Sequence, residues 1–250
     1  MRRGMLMLAA FLAVPLPSFA AGEGSCARPP DHGQIEIALK DARAQQNGGL
    51  NFDMWVTVVG RDGKVCGVAY TGDAVDAQWP GSRVISAQKA NTANAFSLPH
   101  FAISTANLYS AVQPGAALFG LQESNPVDVS VAYAGPAAAF GSEKDPMVGK
   151  PIGGVNVFGG GLALYDAKGT IVGGLGVSGD TSCADHNIAW RTRHNLKLDY
   201  VPAGVAKDKS DAIIYDITAG KSAGGYGHPT CGGTEDSVAK ALPPVGAKSS

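Results

Sequence analysis

Two mirrored pairs hold most of the chemistry this chain could perform: Cys183-x-x-His186 and His228-x-x-Cys231. Two thiolates and two imidazoles in this order have the composition of a Cys2His2 zinc set. The same cysteines also suit a disulfide, which an oxidising compartment favours. Bonded cysteines hold their Cα atoms about 5.5 Å apart, so a bond would start both imidazoles within reach of a common point. Either imidazole could then ligate a metal. The plainer readings are a solvated His186 in the first turn of a helix and a His228 that braces the tail between Gly227 and Pro229. His32, His100 and His194 have no informative neighbours.

The stretch containing Cys183 also carries Gly174-x-Gly176-x-x-Gly179, the spacing of a dinucleotide fingerprint, with Asp199 about twenty residues on. That fingerprint belongs at the exit of a parallel strand. Here the preceding apolar run is one arm of a hairpin closed by Asp166-Ala167-Lys168-Gly169, and Asp180 and Asp185 would repel a pyrophosphate. The nucleotide reading is set aside: glycines on a strand let a helix or a flat ligand lie close to it. Ser178 is a turn residue rather than a nucleophile, because Gly176-Val177-Ser178-Gly179 lacks the G-x-S-x-G order. No carboxylate pair stands at a spacing for glycoside chemistry. No catalytic constellation of side chains is evident.

The ends of the chain bear on this chemistry. Arg2 and Arg3, the apolar run 5–16 and Ser18-Phe19-Ala20 read as a secretory signal over residues 1–20. An exported protein, periplasmic or secreted, is expected, and no later run is long enough for a membrane span. One domain is expected over 21–250, with a Pro-rich insertion at about 114–151 and a C-terminal extension at about 218–250. The formal net charge is −1, and 20 basic residues stand against 21 acidic ones, which is no footprint for nucleic acid. Four cysteines in an exported chain imply two disulfides. Three connectivities are open; Cys26–Cys66 and Cys183–Cys231 are favoured because each staples a loose end to the body.

Positioning these residues falls to a repeated plan. A helix is expected over 31–46, capped by Asp31 and ended by Asn47-Gly48-Gly49. Strands at 52–59 and 65–71 flank the turn Arg61-Asp62-Gly63-Lys64. A helix over 82–96 follows, with Ser82 as its cap, then a shorter helix over 104–112. The second half repeats the pattern with strands at 162–165 and 170–177 and a helix over 183–196. Ser182 and Asp185 offer this helix a capping box. The apolar run 212–217 reads as a closing strand. Hairpin, helix, hairpin, helix implies an α+β fold, an antiparallel sheet carrying its helices together.

Several segments together resemble one family. Val65 to Thr71 after a D-G-K turn is followed by Ser86-Ala87-Gln88-Lys89-Ala90-Asn91-Thr92-Ala93, which meets the pattern K-A-x-T-A. Gly153-Gly154, Asp166 to Gly169, the run Val172 to Gly179, and Asp185 with Ile188-Ala189 follow in order. This series resembles the GlcG/HbpS haem-binding or haem-degrading family over roughly residues 31–196. The insertion, Cys183, His186 and the extension mark it as similar to a longer, exported subgroup. The resemblance implies a profilin-like antiparallel sheet flanked by helices, often in a homo-oligomer, and haem or a related tetrapyrrole as ligand. On this reading His186 or His228 ligates iron, Gly174 and Gly176 shape a slot for a flat disc, and Arg191 and Arg193 pair with propionates. The alternative for the two arginines is an exposed basic helix face. The expected function is haem sequestration or sensing, with slow oxidative breakdown as the only turnover. The alternatives are a cofactor-free oligomeric accessory protein and a zinc-stabilised domain.

Overall fold

A computed structural model describes residues 25–246, so the expected signal at 1–20 lies outside the described residues. The first helix, α1 (His32–Arg43), starts on a complete capping box. Asp31 Oδ1 accepts from Gln34 N at 2.9 Å, and Gln34 Oε1 accepts from Asp31 N at 3.0 Å. Ile35, Ala38, Leu39 and Ala42 are buried at helical spacing. The helix stops short of residue 46 because Asn47 Nδ2 donates to the carbonyls of Ala42 and Gln45 and turns the chain.

Strands β1 (Trp55–Gly60) and β2 (Val65–Tyr70) form the first hairpin, and β3 (Gly161–Tyr165) and β4 (Ile171–Ser178) form the second. The hairpins join through β1 and β4, from Trp55↔Ser178 to Gly60↔Gly173, giving an antiparallel sheet in the order β2-β1-β4-β3. The fold is α+β, with a sheet flanked by helices. The helices do not lie together, however. Helix α2 (Ser82–Phe96) covers one face, while α1 and α4 (Ser182–Asn195) share the other. Ile35, Leu39, Ile188 and Ala189 pack there against Val56, Val58, Leu162, Leu175 and Val177.

Local expectations are corrected at four places. The N-cap of α2 is Gly81 without a side-chain bond, and Ser82 is buried inside the first turn. The segment 104–112 forms two 3-10 turns, Ala106–Leu108 and Ser110–Val112, rather than a helix. Helix α4 is capped by Thr181, whose side chain accepts from Ala184 N, so the Ser182–Asp185 box does not form. The run 212–217 is not a closing strand. Only Ile217–Thr218 (β5) pairs, with Lys221–Ser222 (β6), in a two-residue hairpin apart from the main sheet.

The Pro-rich insertion is a built cover over α2, with one helical turn, α3 (Val129–Ala132). Its Asp145 accepts a fork from buried Arg83, Nε to Oδ2 at 2.8 Å and Nη2 to Oδ1. Arg83 also donates to the Ala132 carbonyl and lies 3.7 Å over the Phe140 ring. Met147 and Ile152 complete an apolar cluster with Trp55, Val84 and Ala87. Both expected disulfides are present, Cys26–Cys66 and Cys183–Cys231, with Cα separations of 5.2 and 6.1 Å.

The glycines of β4 let α2 sit directly on the sheet. A Cβ at Gly174 would land on the Ala90 carbonyl, and one at Gly176 on the Ser86 carbonyl, both rigid helix backbone. We expect Gly176→Ala to destabilise the fold by about 1–3 kcal/mol or more through overpacking. Urea unfolding checks this, and an unchanged midpoint would show that α2 has room to move.

Candidate functional site

Helix α4 is buried on nearly every side. Its inner residues enter the core, while Cys183, His186, Asn187 and Trp190, at i, i+3, i+4 and i+7, form one stripe. The C-terminal segment docks there. Cys231 is bonded to Cys183, Asn187 Nδ2 donates to the Glu235 carbonyl at 3.1 Å, and Trp190 Nε1 donates to the Pro243 carbonyl at 2.8 Å. Beyond Cys231 lies α5 (Glu235–Lys240). Between α4 and this segment is a cavity of about 750 Å³, with His186 and Trp190 on one wall and Ile213, Tyr215, Tyr226 and Leu242 among the residues opposite.

The structure separates the two histidines that sequence treats alike. His186 is not solvated: it is fully buried, and neither ring nitrogen has a hydrogen-bond partner. Burial, followed by the neighbouring His228, Arg193 and Lys89, pushes it well below its ordinary value and keeps the imidazole neutral. His228 is equally deep, but its ring is engaged at both nitrogens. Nδ1 lies 2.7 Å from the Pro229 carbonyl, to which it donates, and Nε2 accepts from Gly159 N at 3.3 Å. These contacts make a consistent neutral tautomer that braces the tail, and leave no lone pair for a ligand. Burial lowers its pKa to about 4.

The other candidates do not gather at the cavity. Arg193 is not an exposed basic residue but a fully buried one, forked onto Asp211 at 2.7 and 2.8 Å and bonded to the Ala163 carbonyl. Arg191 lies away from the cavity and donates to Gln45 Oε1 at 2.7 Å. Gly174 and Gly176 face α2, so the close approach they permit is to a helix and leaves no slot for a disc. With Cys183 and Cys231 in a disulfide, the Cys2His2 zinc arrangement has no thiolates and does not form. The cations that line the cavity are Lys207 and Lys240, which sequence did not single out.

One buried pair had no separate signal in the sequence. Lys89, fully buried on α2, reaches Asp185 Oδ2 on α4 at 2.6 Å and the Val177 carbonyl at 3.0 Å. Asp185 Oδ1 accepts from the amides of Gly179 and Asp180. Desolvation raises Asp185 to about 6 and lowers Lys89, while each partner's charge opposes the other's shift.

Sheet, flanking helices and a cavity bearing a neutral, unpartnered imidazole make up a small α+β domain. The chain belongs to the HbpS-like family: the family model described as "Haem degrading protein HbpS-like" matches residues 34–193. Among solved structures, it is similar to the Klebsiella pneumoniae protein ORFY, with 22% identity over 66% of this chain and 86% of that one, TM-score 0.44. PduOC, solved as a haem complex, is 28% identical over 65% and 89%, TM-score 0.45. HbpS from Streptomyces reticuli, solved as a double mutant, is 17% identical over 73% and 97%, TM-score 0.40. No curated protein matches the chain. Membership rests on the family match, which ends before the tail that forms the second cavity wall.

Two outcomes follow from these burials. Lys89→Met strands a buried carboxylate and should cost about 3–5 kcal/mol in urea unfolding; a loss within error would mean Asp185 is held by its amides alone. His228 has a folded pKa near 4 against an ordinary 6.5. Its contribution is therefore present above 6.5 and lost as pH falls toward 4. The stability difference between the native protein and His228→Asn should shrink by up to about 3 kcal/mol between pH 7 and pH 4. A pH-independent difference would place this imidazole in water.

Proposed function

We propose that the protein is an exported haem-binding protein that holds haem or a related tetrapyrrole in the cavity between α4 and the C-terminal segment, with His186 as an iron ligand. The carrying observation is the His186 ring, fully buried on the cavity wall with both nitrogens unpartnered. Buried polar groups without partners are rare in folded proteins, and a ligand is one of the few things that explains them. A neutral imidazole is the form that binds iron.

The remaining features fit the same group. A volume of about 750 Å³ falls within the range of roughly 300–1,000 Å³ common for cofactor sites. Trp190, Ile213, Tyr226 and Leu242 supply apolar and aromatic wall, and Lys207 and Lys240 supply cations for carboxylates. Family membership supports haem as the ligand, and two disulfides suit export. Bound haem supplies iron-centred oxygen chemistry. The chain's own residues bind it, orient it and exclude water. Sequestration or sensing is therefore the primary role, and any breakdown of haem is slow.

The insertion favours a homo-oligomer. Phe119, Val129 and Tyr133 expose 63–65% of their surface on its outer side, which suits contact between copies. Light scattering that finds a monomer removes this part, and an oligomer without haem affinity favours the accessory-protein reading.

Haem titration of the mature protein should produce a Soret shift. His186→Ala should weaken binding on the order of 10–100-fold, whereas His228→Ala, compared at equal folded fraction, should keep the band. A native protein without a Soret shift loses the function. An unchanged spectrum in His186→Ala discards that residue and keeps the function.

A further inference from the structure

Glu235 is a buried carboxylate that no base answers. It is 1% exposed, as deep as Asp145, Asp185 and Asp211. Each of those faces an arginine or a lysine at ion-pair distance, whereas Glu235 has no basic partner among the described residues. Its two oxygens accept from the amides of Cys231 and Gly233, which leaves a lone pair open on each. Buried charges are normally paired or coordinate a metal.

What Glu235 does face is sulfur. A carboxylate oxygen and the sulfurs of Cys183 and Cys231 all lie within 4.8 Å of one another. A disulfide gives a buried anion nothing to bind. The two thiolates latent in it, with this carboxylate, make three of the four donors that zinc takes in a tetrahedron. His228 stands beside the set, with Nδ1 3.9 Å from Cys183 Sγ, but that nitrogen carries the proton given to the Pro229 carbonyl and does not ligate. Both sulfurs are placed for opening. Cys231 is half-buried and so within reach of a reductant. Cys183 is the second residue of α4, where the positive end of the helix favours a thiolate. Tetrahedral zinc holds two sulfurs about 3.8 Å apart. Cys231 can swing to give that separation, since it stands in an irregular segment with open space around Gly232.

We propose that Cys183, Cys231 and Glu235 form a zinc site that the disulfide keeps shut and reduction opens. A dithiol donates two electrons and two protons: its own sulfurs join as a disulfide, the Cys183–Cys231 bond breaks, and two thiols form. Zinc then binds both sulfurs and a Glu235 oxygen, with water in the fourth position, and the two thiol protons leave to solvent. No further electron moves. The tail that the disulfide ties to α4 is thereby tied by the metal in a reducing medium, where the covalent bond is lost. The site forms whether or not the cavity holds haem.

The test uses the full mature chain without haem, reduced by a phosphine, which takes oxygen from water as its oxide and does not compete for zinc as a dithiol would. The reduced protein should hold one zinc ion per chain after gel filtration, and cobalt(II) in its place should show thiolate-to-metal charge-transfer absorption. Zinc should raise the Tm of the reduced chain and leave that of the oxidised chain unchanged. Cys26→Ser/Cys66→Ser, which removes the other disulfide, should keep the zinc, and Cys183→Ser/Cys231→Ser should lose it. Glu235→Gln, which retains a carbonyl oxygen for the Cys231 amide, should weaken zinc binding on the order of tenfold or more. The cysteine variants decide the site even if Glu235→Gln does not fold. A reduced native chain that binds no zinc, or that zinc does not return to its native circular dichroism, overturns the proposal. So does zinc bound equally by the oxidised protein or by Cys183→Ser/Cys231→Ser. Unchanged affinity in Glu235→Gln overturns the donor set assigned here.

Discussion

The fold depends on one buried contact between its two faces. Lys89 belongs to α2, on one side of the sheet, and Asp185 to α4, on the other, yet their charges meet at 2.6 Å out of water. Such a pair is weak evidence for stability, since desolvation takes back most of the Coulombic gain. Its value is positional. The carboxylate also gathers the Gly179 and Asp180 amides, which sets the turn by which β4 becomes α4. The ammonium holds the Val177 carbonyl in the same strand. Once those bonds are made, the rotation of α4 about its axis is no longer free.

That rotation decides the site. His186 follows Asp185 directly, so fixing Asp185 toward Lys89 leaves His186 on the stripe shared with Cys183, Asn187 and Trp190. The stripe receives the tail through a disulfide, an amide hydrogen bond and an indole hydrogen bond. Helix α4 is accordingly buried on both sides, by the sheet inside and the tail outside, and has no polar face of the ordinary kind. Arg193 follows the same logic. Deep in this layer its charge must be paired, and Asp211 supplies the fork at the point where the tail begins.

Much of this frame was legible in the sequence. Both hairpins could be read from short apolar runs around Asp-Gly and Lys-Gly turns, and α2 from small residues at helical spacing. Both disulfides followed from the logic of stapled ends. The glycines of β4 were read as permitting close approach, but sequence left open whether a helix or a flat ligand came close; the backbone of α2 takes that space. What escaped is what depends on distance along the chain. Lys89 and Asp185 are 96 residues apart, and neither residue's neighbours name the other. Arg193 looked like half of a basic helix face because its carboxylate lies beyond the helix. The apolar run 212–217 suits a strand in isolation. It serves instead as cavity wall, since side-chain and turn contacts take up the segment's backbone groups.

The symmetry of Cys-x-x-His and His-x-x-Cys concealed an asymmetry of backbone. His186 sits on a helix, where the main-chain groups around it bond along the helix and offer its ring nothing. His228 lies in an irregular segment, where the Pro229 carbonyl and the Gly159 amide are free to bond its two nitrogens. The same residue type is therefore satisfied in one place and stranded in the other. A buried polar group without a partner costs about 1–3 kcal/mol, and a fold selected for stability alone would replace His186 by an apolar side chain of similar size. Keeping an imidazole there costs the fold stability, and the ring so kept is already dehydrated and held in one orientation by the helix. In this chain the helix carries the unpartnered imidazole, and the docked tail covers the stripe on which it stands.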